Sequence, residues 1–172
     1  MTHDPILTAF LSNQRAEGMA LAAASDRLEL YPGRGDPPDR YIARFRCRGV
    51  VRTRNGEIIE ADDFQVGIWF PANYLKGPVE PFEIISWLGP TNVVHPNIRA
   101  PFICLGRLNP GTTLVDLLYQ IYEIVSYQRF NPREDDALDL KACVWARNER
   151  ALGRFPIDRR PLKRATANPG TA

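Results

Sequence analysis

Ala43-Arg44-Phe45-Arg46-Cys47-Arg48 is the stretch that decides the fold. Apolar residues and arginines alternate at period two, the pattern of a strand with one face in a core and the other in water. Cys47 therefore reads as a core residue. The three arginines read as a solvated face, with a partner-binding surface as the sharper alternative. Downstream, Asn55-Gly56 supplies hairpin turn chemistry. Ile58 and Ile59 lead into a second alternating run in which Phe64, Val66, Ile68 and Phe70 share a face. Pro71 ends that strand, Ala72 to Val79 is a loop, and Phe82 to Leu88 reads as a further strand. Upstream, Leu28 to Tyr31 is a short strand, followed by the irregular Pro32-Gly33-Arg34-Gly35-Asp36-Pro37-Pro38. Four strands joined by sequential hairpins make an antiparallel meander.

Helices flank the meander. Pro5 to about Ala24 carries Ile6, Leu7, Phe10 and Leu11 at helical spacing, and Pro5 suits a first turn. Thr113 and Asp116 open a helix with the spacing of a capping box; Leu114, Leu117, Leu118, Ile121 and Val125 form its apolar face. Asn131-Pro132-Arg133-Glu134-Asp135-Asp136 is an acidic turn, and Ala137 to Arg150 reads as a last helix carrying Leu138, Ala142 and Trp145. Cys143 reads as core on that helix. The fold class is α+β. From Asp158 to Ala172 the chain is basic and then rich in Ala, Thr, Pro and Gly, which predicts a flexible tail after one domain spanning residues 1–157.

Composition narrows the function. With 22 basic and 20 acidic residues the net charge is only +2, so nothing global points to nucleic acid or a membrane surface. No apolar run approaches the roughly 20 residues of a membrane helix, and the start of the chain lacks a secretory pattern. Three cysteines without a CxxC pair favour a reducing, cytoplasmic setting and give no zinc ligand set. No metal or cofactor is expected.

The chemistry falls in Val94-His95-Pro96-Asn97-Ile98-Arg99-Ala100-Pro101-Phe102-Ile103-Cys104-Leu105-Gly106. Two prolines stiffen it, and it presents an imidazole, an amide and a thiol on one segment after the last strand. That set suits acyl transfer. Each residue also has a plainer reading: Cys104 as a buried side chain, Asn97 as a turn residue, Asp135 and Asp136 as a helix N-cap. His95 reads as structural rather than as a base.

Several of these motifs, in this order, resemble the ubiquitin-conjugating (E2) family. Its His-Pro-Asn signature stands as His95-Pro96-Asn97, and its Ile-Cys-Leu around the nucleophile as Ile103-Cys104-Leu105. Phe70-Pro71, Tyr74 and Pro78 resemble its third-strand exit, and Asp135-Asp136-Ala137-Leu138 its Asp-Asp-x-Leu motif. The spacing from Asn97 to Cys104 is one residue short, the family tryptophan before Pro110 is absent, and the loop after Cys104 is short. The resemblance is thus to a divergent, bacterial-type E2-like protein with a UBC-like fold.

The resemblance implies roles. Cys104 would carry the C-terminus of ubiquitin or a ubiquitin-like modifier as a thioester. Asn97 would steady the developing oxyanion, and Asp136, or less favourably Asp135, would orient and deprotonate the attacking lysine. His95 and Pro96 would brace the loop. Phe70, Pro71, Tyr74, Pro110 and Arg15 match positions facing partners. Those partners would be an E1-like activating enzyme, which uses the ATP, and an E3-like ligase. Two other classes compete: an inactive E2-fold module that binds a ubiquitin-like protein or scaffolds a complex, and a cysteine hydrolase with His95 as base.

Overall fold

Asp4 caps the first helix, accepting hydrogen bonds from the Ile6 and Leu7 N–H groups, and Pro5 occupies its first turn. A computed structural model describes residues 4–164 and builds the chain outward from that helix, α1 (Pro5–Ala23). The central sheet has four antiparallel strands in the order β1 (Leu28–Pro32), β2 (Arg40–Phe45), β5 (Phe64–Trp69) and β6 (Ile85–Gly89). Between β2 and β5 the hairpin runs on as a separate ribbon, β3 (Gly49–Arg52) against β4 (Ile58–Ala61). The architecture is α+β: an N-terminal helix, a four-stranded antiparallel sheet and C-terminal helices.

The alternation around Cys47 is present, but the strand is broken there. Phe45 pairs with Phe64 and Gly49 with Ala61, so three residues of one arm oppose two of the other. That extra residue bends the hairpin. Gly49 sits at the bend because a Cβ there would lie 2.6 Å from the Phe64 ring. Phe45 and Cys47 are buried, and burial pushes the Cys47 thiol well up. The arginine face is already paired: Arg44 makes a two-pronged bond to Asp63, Arg46 reaches Glu29, and Arg48 reaches Glu60.

Phe82 does not begin a strand. Pro81 to Ile84 forms one helical turn, α2 (Pro81–Ile84), set by the reciprocal bonding of Glu80 and Glu83 and by Pro81 at its start. The strand β6 begins only at Ile85. The capping box of Thr113 and Asp116 opens α3 (Leu114–Val125), whose Leu114, Leu117, Leu118 and Ile121 are fully enclosed. Gln14 of α1, itself buried, accepts the Leu114 N–H at 2.7 Å and so ties the two helices together. The last helix, α4 (Leu140–Ala151), starts later than Ala137 because Asp139 caps it through the Ala142 N–H.

The segment from Asp158 to Arg164, expected as the start of a flexible tail, is packed instead. Asp158 is buried and accepts from the Arg48 N–H and from the backbone and guanidinium of Arg160. Leu162 enters the main core, and the Arg164 N–H donates to the Ala24 carbonyl beside α1. The Ser25 hydroxyl donates to the Leu162 carbonyl and the Tyr122 hydroxyl to the Arg160 carbonyl, so the basic stretch is tied down along its length. Residues 165–172 of the expected tail lie outside the described residues.

Candidate active site

Two short strands, β7 (Ile98–Arg99) and β8 (Phe102–Ile103), pair Ile98 with Ile103 and Arg99 with Phe102. Ala100-Pro101 forms the tip, which the Trp87 N–H of β6 holds by donating to the Pro101 carbonyl at 2.8 Å. One step further out, the Cys104 N–H donates to the Asn97 carbonyl at 2.8 Å. Asn97 and Cys104 are therefore cross-strand neighbours, and cross-strand partners present their side chains on the same face. The expected irregular excursion is in fact a hairpin, and its pairing sets residues 97 and 104 opposite each other.

The Asn97 side chain is fixed at both ends. Its Nδ2 donates to the Cys104 carbonyl at 3.1 Å, and its Oδ1 accepts the Asn131 N–H at 2.8 Å. An amide nitrogen has two hydrogens, so one remains for another acceptor. His95 lies beneath, fully buried, with its ring 4.3 Å from that of Tyr127. Its Nδ1 accepts the Asn97 N–H at 3.0 Å, which places its hydrogen on Nε2. Burial lowers its pKa to about 3, and nearby backbone groups of Arg129 and Ile124 offset this only in part, since Nε2 has no well-formed partner. The imidazole is thus neutral and enclosed, and it braces the loop through the Asn97 N–H. Pro96 is also buried; its carbonyl accepts the Leu138 N–H at 2.8 Å and, more loosely, that of Asp139 at 3.3 Å.

Cys104 is partly exposed, whereas Cys47 and Cys143 are buried. It lines a groove of about 750 Å³ together with Val79, Pro81, Phe82, Phe102, Leu108, Pro110 and Leu138, with Glu80 and Arg107 supplying charge. Phe82 and Phe102 are more than half exposed on this groove. Leu105 turns inward just after the thiol, and Gly106 follows at φ +82°, a left-handed conformation that favours glycine.

Asp136 stands exposed at the end of the single helical turn Glu134–Asp136, and its Oδ2 accepts from Asn131 Nδ2 at 3.0 Å. Asp135 instead pairs with Arg133, which holds its carboxyl below the usual range. A continuous hydrogen-bonded path thus runs from Asp136 through Asn131 and Asn97 to the Cys104 backbone. Sequence reading missed Asn131. Its Asn-Pro turn signal was visible, but nothing in the chain indicated that the turn folds back onto residue 97.

Two residues expected to face partners belong to the core. Phe70 is 1% exposed and Tyr74 is fully enclosed, packed edge-on to each other at 4.9 Å and against Phe10. The Tyr74 hydroxyl donates to the Thr112 carbonyl at 2.6 Å, so it supports the loop before α3 from inside. Pro71 is half-buried, Pro110 lies exposed on the groove, and Arg15 is exposed with a 3.5 Å ion pair to Asp36. Among the described residues no group of three His, Cys, Asp or Glu side chains is placed to hold a metal ion, and no helix is long and apolar enough to cross a membrane. No family model matches this chain, and no curated protein matches it.

Proposed function

We propose that this protein is a UBC-like E2 carrier. Cys104 accepts the C-terminus of ubiquitin or a ubiquitin-like modifier from an E1-like activating enzyme, holds it as a thioester, and passes it to an amine or to a ligase. The observation that carries this reading is the hairpin that sets a partly exposed thiol directly across from Asn97 at the edge of an apolar groove. A thiol suits the carrier because a thioester is reactive toward amines yet survives until transfer. When the amine adds, negative charge grows on the carbonyl oxygen, and the second Asn97 N–H is the donor available to meet it. Asp136 supplies a carboxylate to orient the amine and take its proton. The groove's apolar walls suit the extended end of a peptide, and Phe82 and Pro110 stand exposed on it for a partner. The cytoplasm, where thiols stay reduced, is the compartment this chemistry needs.

One observation favours the inactive binding module as a second reading: both ends of the Asn97 amide are already engaged in holding the hairpin. A single experiment separates the two. The protein is incubated with activating enzyme, ATP and modifier, and run on non-reducing gels with and without thiol. The carrier gives a thiol-labile adduct that Cys104→Ala abolishes. An adduct of unchanged yield in that variant, or none from the wild type while the modifier still binds, rejects the carrier.

A further inference from the structure

Asn131 is bonded through every polar group it has. Its N–H donates to Asn97 Oδ1 at 2.8 Å, and its carbonyl accepts from the Cys143 thiol at 3.6 Å. Its side-chain Oδ1 accepts the Arg133 N–H at 3.0 Å, fixing the turn that Pro132 stiffens, and its Nδ2 donates to Asp136 Oδ2 at 3.0 Å. The backbone bond sets which way the Asn97 amide faces, because an accepting oxygen toward Asn131 leaves the nitrogen toward Cys104. The side-chain bond holds one oxygen of Asp136 and leaves the other free. Arg133 spends its guanidinium on Asp135, so Asp136 is held by a neutral amide rather than by a cation.

We propose that Asn131 is the positioning residue for amine transfer, holding the Asp136 carboxylate and the Asn97 amide in one frame; this role rests on the carrier function proposed above. In the step it serves, the amine nitrogen bonds to the thioester carbonyl carbon, the carbon–sulfur bond breaks, and Cys104 leaves as thiolate. The amine's proton passes to Asp136 and onward to the thiolate or solvent, which restores the free thiol and yields an amide.

The test loads Cys104 by exchange with a short peptide ending in Gly-Gly, supplied as its mercaptoethanesulfonate thioester, and then follows discharge. Asn131→Ala should load like the wild type. Its discharge to free lysine should be slower by about ten-fold near neutral pH, within the usual reach of a general base. The defect should shrink as pH rises toward the amine pKa of about 10.4, where the amine needs no help losing its proton. Discharge to hydroxylamine, already unprotonated at neutral pH, should be unchanged. Asn131→Asp keeps an acceptor for the Arg133 N–H but sets a like charge against Asp136, so it should be at least as slow. Asp136→Ala should cost less in the Asn131→Ala background than it costs alone, because the unheld carboxylate has already lost part of its effect. Normal loading with undiminished lysine discharge, or an equal loss toward both nucleophiles at every pH, overturns the positioning role alone. Failure of the wild type to form a Cys104 adduct, with Cys104→Ala as the control, overturns the carrier reading along with it.

Discussion

Replacing Asp158 with alanine tests how firmly the end of the chain is held. The carboxylate is 1% exposed and accepts four bonds, from the Arg48 and Arg160 N–H groups and from two nitrogens of the Arg160 guanidinium. Without it, two backbone donors lose their acceptor, at about 1–3 kcal/mol for each that water cannot reach. The Arg160 side chain is 50% exposed and is rehydrated, so its share is small. The expected loss is about 2–4 kcal/mol, which in a 172-residue chain lowers Tm by roughly 5–15 °C. Thermal unfolding followed by circular dichroism reads this directly. Burial alone would raise the Asp158 carboxyl, but the Arg160 guanidinium and the two N–H groups outweigh it and hold the group well below its ordinary 3.8. A carboxylate depressed on folding stabilises above its unfolded value, and the benefit disappears as pH falls through the folded value. The gap between wild type and variant should therefore be constant near neutral pH and close in acid below about pH 4. A Tm change under about 2 °C at neutral pH would refute the account of an anchored terminal segment.

Other outcomes are equally specific. In the native protein one thiol per chain, Cys104, should react with iodoacetamide by intact mass, and all three should react in denaturant, because Cys47 and Cys143 are enclosed. Gly106→Ala meets no close neighbour, its nearest being an Arg129 nitrogen at 3.8 Å; its cost is conformational, about 1 kcal/mol or a Tm fall of roughly 2–4 °C. His95 should keep the ring shifts of neutral imidazole in NMR spectra from about pH 8 to pH 5. Because its pKa falls to about 3 on folding from an ordinary 6.5, the unfolded chain binds a proton that the folded one refuses. Stability should thus decline as pH drops below about 6.5, as chemical denaturation would show.

The parts of this protein that were legible in sequence are those where one residue type answers one local demand. The alternation through Phe45 and Cys47, the Thr113–Asp116 cap and the Asn55-Gly56 turn each fix their own element, and each element is present. Phe82 misleads because a strand-forming aromatic sits inside a Glu80–Glu83 box that closes a helical turn over it. Phe70 and Tyr74 mislead because a motif carries no burial: whether they face a partner or Phe10 is settled by α1 crossing above them. Leu162 was hidden in a basic run, where composition outweighs a single anchoring side chain. At the site, the proximity of Asn97 and Cys104 could be suspected from spacing, yet the ladder that enforces it rests on Trp87, a residue from another strand. The role of Asn131 is written wholly in contacts across 34 positions of chain.

The Trp87–Pro101 hydrogen bond has a second effect beyond holding the tip. Strand β6 is the last in its sheet, and an unguarded border strand invites pairing with a neighbouring molecule. By laying its tip along that border, the thiol-bearing hairpin also acts as a guard against self-association. Lesions that loosen it should therefore surface first as poor solubility at high concentration, ahead of any deficit measured on a dilute sample.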